Sequence, residues 1–230
     1  MTTEIRSSGN NTAAVIEQSL LAFGAGLDAA VRADIKNAYQ FASRAASHSF
    51  SSEGETEQWF NHFIKVMHDC GWVTLMKSYE MERSQSQSLK LGAVVYKTMK
   101  VVGQAVLSNP LTDALANLAA DALESLGKVN QAQEIFTRNL RERRSSTVGL
   151  GACIQNEVGE VFLAMSAIDS KPFDDHQLNN VVFEWESKSS AVYSGAVVFV
   201  FNRFIYDVVR DHIRQRLTDS AVSNILDYDI

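Results

Sequence analysis

Cysteine and proline are scarce in this chain, with two of each among 230 residues. Cys70 and Cys153 lie far apart, so no disulfide framework is implied, and no zinc-type Cys/His spacing occurs. With proline only at Pro110 and Pro172, long uninterrupted elements are allowed. An excess of positive charge is also missing. Lys and Arg total 21 against 27 Asp and Glu, a net charge of −6. That balance excludes a broad polyanion-binding surface, and with it nucleic acid as a partner. A long hydrophobic run is absent too. The greasiest stretch is Ser194 to Val209, and the apolar run there, Ala191 to Phe201, stops at Asn202-Arg203. A membrane-spanning helix needs about 20 apolar residues, so this run is no constitutive anchor. The opening "MTTEIRSSGNN" has no apolar core, and no secretory signal is visible in it.

What is present suits one globular domain. Hydrophobic residues make up 46% and charged residues 21%, ordinary values for a packed core with a wet surface. The length is ample for such a core. The basic run Arg138, Arg141, Arg143, Arg144 is the local exception to the acidic balance. It falls at an expected helix end, where cations suit the helix dipole.

Periodicity divides the chain into a flexible N-terminus (1–11), a mainly helical part (12–144), a sheet (145–201) and a C-terminal helix with its tail (202–230). Thr12 is the expected cap of a first helix with Ile16, Leu20, Phe23, Leu27, Val31, Ile35, Ala38 and Ala42 near a 3.6 period. Ser52 and Glu55 have capping-box spacing. Trp59, Phe60, Phe63, Ile64 and Met67 then form one stripe, with His62, Lys65 and Asp69 on the polar face. A third helix spans "LGAVVYKTMKVVGQAVL". Pro110 opens a fourth, with a stripe through Leu111, Leu115, Leu118, Ala122 and Leu126. A fifth covers Val129 to Arg144. The final helix, from Arg203 to about Leu217, is expected to carry Phe204, Val208, Ile213 and Leu217 inward.

After Ser145 the period changes. "STVGLGACIQ" and "EVFLAMSAI" read as strands joined by the turn Asn156-Glu157-Val158-Gly159. "VVFEWES" and "AVYSGAVVFVF" read as a second pair around Lys188-Ser189-Ser190. Val197 to Phe201 are β-formers with both alternating faces apolar, the pattern of a strand covered on both sides. The expected fold is a single three-layer α/β/α domain of the α+β kind, with helices on both faces of one antiparallel sheet.

These residues resemble the sheet region of the Cyt cytolytic delta-endotoxins. The resemblance rests on Ile154, Gln155, Asn156, Glu157 and Gly159 at the first turn. It extends to Lys188, Ser189, Ser190, Ala191 and Tyr193 at the second, with one residue inserted before Lys188. Its specific part covers about Cys153 to Phe201. It implies the same α/β/α fold, an antiparallel sheet wrapped by helical hairpins, and a membrane-active toxin or virulence factor. Such a protein binds lipid and permeabilises a target cell by oligomers or by detergent-like disruption. The implied partners are membrane lipids and further copies of the chain, with no cofactor. The implied route is a soluble chain made in the cytoplasm and released. Val181, Phe183 and Trp185 on one strand, with Val197, Val198, Phe199, Val200 and Phe201 on the next, are the residues assigned to meet lipid. One departure is expected. Cyt protoxins begin with a strand and an activation segment, whereas a helix from Thr12 leaves no room for either. A non-lytic interaction protein of the same fold is the alternative.

Catalytic chemistry finds little purchase. In "MHDCGW", His68, Asp69 and Cys70 are adjacent, but neighbouring helical residues point about 100° apart. They form no relay, and a buried thiol is expected. Cys153 sits beside Gly151 and Ala152 and reads as a small buried residue. Asp174, Asp175 and His176 share a loop without a second ligand cluster. No phosphate-binding glycine loop or G-x-S-x-G elbow occurs. The chain is expected not to be an enzyme.

Overall fold

Strands with two apolar faces need a cover on each, and the fold supplies it. The structure, a computed structural model, describes residues 3–6, 11–50, 55–82, 88–89, 91–142, 147–169, 185–186 and 192–226. In chain order the elements are β1 (Thr3–Arg6), β2 (Thr12–Ile16), β3 (Ser19–Phe23), α1 (Ala29–Ser49), α2 (Thr56–Asp69), β4 (Trp72–Glu82) and β5 (Ser88–Leu89). There follow α3 (Leu91–Gln104), α4 (Asn109–Leu126), α5 (Asn130–Glu142), β6 (Thr147–Gln155), β7 (Val161–Asp169), β8 (Trp185–Glu186), β9 (Val192–Phe201) and α6 (Arg203–Leu226).

Seven strands make one sheet in the order β1-β2-β3-β6-β7-β9-β4. Alternate side chains sort into two cores. On one face Val15, Leu20, Leu150, Ala152, Ala164, Ile168, Ala196 and Val198 pack beneath α3, α4 and α5. On the other, Ile16, Leu21, Phe23, Cys153, Leu163, Met165, Val197 and Phe199 pack beneath α1, α2 and α6. The three-layer α/β/α domain expected from the sequence is therefore present.

Several local expectations hold for the stated reasons. The α2 stripe from Trp59 to Met67 is buried. Ser108 stands at the N-cap of α4, with Pro110 in its first turn. The β6–β7 turn is held by Asn156, whose Oδ1 accepts hydrogen bonds from the amides of Val158 and Glu160 at 3.2 and 2.8 Å. Gly159 supplies the positive φ of 89° that the turn needs.

Others are corrected. Residues 12–23 form the hairpin β2–β3, not a helix, and the first helix begins at Ala29, capped by Asp28. All of β3 is buried, so its apolar run satisfied a helical period while filling both faces of a strand. Strands thus precede the first helix, and the departure drawn from a helix at Thr12 falls away. Trp72–Glu82, within the part read as mainly helical, is the edge strand β4. The sheet is not confined to 145–201, nor wholly antiparallel, since β3 and β6 pair in parallel. Finally, β9 does not pair with the "VVFEWES" segment as described. β7 and β4 already take both of its edges, while β8 pairs with β5 in a separate two-stranded sheet.

Candidate functional site

β9 is paired along both edges, lying between β7 and β4. Val197, Val198 and Phe199 are buried, with Val198 facing α3 and α4, and Val197 and Phe199 facing α1 and α2. Val200 and Phe201 are half-buried. Phe201 stacks on Trp72 of β4 with ring centroids 4.6 Å apart, and meets Tyr206 at 5.3 Å. Gly195 lets α2 close on the strand, because a Cβ there would stand 2.8 Å from the Phe60 ring. None of the five residues from Val197 to Phe201 is exposed in the folded chain. Trp185 lies in β8, opposite Leu89. Val181 and Phe183 lie outside the described residues, as do Asp174, Asp175, His176, the Lys188–Ala191 turn and the end of the basic run at Arg143 and Arg144.

Among the described residues, an open apolar surface lies where β9 hands over to α6, while Val101 of α3 and Val158 of the β6–β7 turn are exposed as well. Asn202 makes that corner. Its amide donates to the Gly71 carbonyl at 2.8 Å, and its Oδ1 accepts from the Ile205 amide at 3.2 Å, capping α6. Gly71 adopts a φ of 84°, and a Cβ on it would lie 2.8 Å from the Asn202 carbonyl oxygen. Only glycine fits both demands. The corner sets the rotation of α6. Tyr206 turns inward and is fully buried, which leaves Phe204 81% exposed and Val208 77% exposed one turn apart. Ile205 is 41% exposed beside them. At the same end of the sheet, β4 adds Val73, Leu75 and Met76, each 38% exposed. The register slips between Thr74 and Met76, so Leu75 is the extra residue of a bulge in this edge strand. Arg203 lies exposed at the head of the helix. The inward placement expected for Phe204 and Val208 is thus reversed. The signal for the true inner face was a competing stripe, Tyr206, Val209, Ile213 and Leu217, whose spacing fits a helix equally well.

α6 is fastened to α1 by charge. Asp34, with its side chain 3% exposed, receives Arg210 Nη2 at 2.8 Å and Arg214 Nη2 at 3.3 Å. The hydrogen bonds to Asp34 raise the Arg210 pKa, and desolvation opposes them. The Arg210 guanidinium also stands 5.3 Å over the Tyr206 ring. Burial raises the Tyr206 hydroxyl, with the Asp34 charge adding to it.

The thiols are buried and free. Burial pushes Cys70 up to about 12, with the Asp69 charge contributing, and holds Cys153 well above the ordinary thiol range. Both are neutral at physiological pH and are poor nucleophiles. His68 Nδ1 and Asp69 Oδ1 are 3.8 Å apart on the surface, both well exposed, while Cys70 points into the core. Among the described residues, no three His, Cys, Asp or Glu side chains are grouped to hold a metal ion. Among them, too, no helix is long and apolar enough to cross a membrane.

No family model matches the chain, and no curated protein matches it. One solved structure similar to it is that of the Evf virulence factor, with a TM-score of 0.35 at 8% identity over 87% of this chain and 82% of that one.

Proposed function

We propose that the chain is a membrane-active protein of the toxin or virulence-factor kind, which docks on a lipid surface through the α6–β4 corner and then permeabilises it. The single observation that carries this reading is the outward pair Phe204 and Val208, 81% and 77% exposed on a helix whose opposite face is packed into the core. Large apolar side chains set together in water mark a surface meant to be covered. An aromatic and an aliphatic residue beside the exposed Arg203 suit the boundary between headgroups and acyl chains. The second step draws on the sheet. If a helix layer swings away on the membrane, Val197 to Phe201 meet lipid while their backbone stays paired in a larger sheet of several copies. Pairing is required because unsatisfied amides in hydrocarbon cost several kcal/mol each.

The test is flotation and dye release with vesicles of varied headgroup composition. The wild-type chain is expected to float with vesicles and release dye, and Phe204→Ser with Val208→Ser to do neither. Cys153 reports the second step. It lies under α1 and α2, so in a Cys70→Ser background it becomes reactive to a thiol reagent only on vesicles that leak. If the wild-type chain neither floats nor releases dye with any mixture, the lipid reading is lost. The same corner then serves a protein partner in a non-lytic interaction protein.

A further inference from the structure

The end of the sheet opposite α6 carries a second unusual junction. Ile16 and Ser19 pair across the β2–β3 turn, leaving Glu17 and Gln18 to make it. Glu17 has a φ of 56° and is alone among the described non-glycine residues in the left-handed region. Glycine or asparagine is the usual occupant of such a position. What glutamate brings is its side chain. Its carboxylate is 7% exposed and accepts from Arg44 Nε at 2.8 Å and from Gln40 Nε2 at 2.9 Å, both on α1. Its main-chain carbonyl accepts from Asn139 Nδ2 of α5 at 2.6 Å. The next carbonyl, of Gln18, accepts from the Gly149 amide of β6 at 3.2 Å. α1 and α5 belong to opposite layers of the sandwich. One residue in a strained conformation therefore holds a helix from each layer, and strain kept at such a point is a mark of a switch region.

We propose that Glu17 is a latch that couples the two helix layers, so that loss of its grip on one helix loosens the other and the layers open together. The left-handed backbone aims the carboxylate at α1 and the carbonyl at α5 at once. A turn relaxed on one side cannot keep both aims. Arg44 and Asn139 are thus linked through a shared partner, although they sit on opposite faces of the sheet. The proposal concerns the free protein and stands whether or not the chain acts on lipid.

The experiment is a double-mutant cycle read by thiol labelling of Cys153 in the Cys70→Ser protein, without lipid. Arg44→Met and Asn139→Ala are each expected to speed labelling about 10-fold, and the two together by about the same factor rather than about 100-fold. The Asn139 variant matters most, because it acts from the face opposite Cys153. Glu17→Gly relieves the backbone while removing the carboxylate, and is expected to label as fast as Arg44→Met. Multiplying single effects overturn the latch, as does a Glu17→Gly protein that labels like the parent. Labelling that merely follows global stability, measured by urea titration of the same variants, overturns it too.

Discussion

Arg210 grips Asp34 with two donors on one edge of its guanidinium, Nη2 lying 2.8 Å from Oδ2 and Nε 3.1 Å from Oδ1. The pair joins α6 to α1 across 176 positions of sequence. It carries a clear expectation. Asp34→Ala leaves Arg210, only 25% exposed, with half-exposed Asp207 of its own helix as the remaining counter-charge, so loss of the buried partner is expected to cost about 3 kcal/mol, the low end for breaking such a pair. Arg214 is half exposed and more distant, so Arg214→Ala costs about 1 kcal/mol or less. Urea titration of the two variants checks the contrast.

The two glycines Gly71 and Gly26 separate backbone need from mere location. Gly71→Ala forces a side chain into the left-handed region and against the Asn202 carbonyl, a strain of about 1–3 kcal/mol before any clash. A Cβ on Gly26 meets nothing within 4 Å, so Gly26→Ala is expected to leave stability within about 0.5 kcal/mol of the parent. Thermal melts of the pair decide it, and equal losses would contradict the account of the corner.

Alkaline pH is expected to destabilise the fold. Burial raises Cys70 from 9.0 to about 12, so below pH 9 the thiol is protonated in both folded and unfolded chains and its contribution is complete. As pH rises above 9, the unfolded chain gives up that proton while the folded one keeps it. Stability then falls by about 1.4 kcal/mol per pH unit for each such group, until the folded thiol also titrates. Burial raises Cys153, Tyr39 and Tyr206 in the same direction, which steepens the loss. Unfolding free energies measured from pH 7 to 11 test this. Cys70→Ala is expected to make the decline shallower, and an unchanged slope would remove Cys70 from the account.

Phe204→Ser and Val208→Ser test whether the exposed pair serves folding at all. Side chains as open as these contribute little to the core, so each change is expected to alter stability by no more than about 0.5 kcal/mol. Val198→Ala, at a position 1% exposed, is expected to cost about 2 kcal/mol or more through the cavity it leaves beneath α3 and α4. Denaturant midpoints for the three proteins check the ranking. A large loss at Phe204 would mean that the corner is structural.

The amino-acid sequence by itself determined the layer plan. Strands apolar on both faces, such as Val197 to Phe201, demanded a cover on each side. The stripes of α2 and α4 supplied helices able to provide it, and Asn156 with Gly159 specified the β6–β7 turn through local chemistry alone. Tertiary structure decided what local pattern left degenerate. Residues 12–23 satisfy a helical period and a two-faced strand alike, and only pairing of β3 with β6, such as Ser19 with Gly149 130 positions away, resolves the choice. α6 offered two stripes of similar quality, and the corner built from Gly71 and Asn202 selected the one through Tyr206. That selection turned Phe204 and Val208 to solvent and created the candidate site. The grip of Glu17 on α1 and α5 was equally invisible, because its partners meet it only once both layers have closed on the sheet.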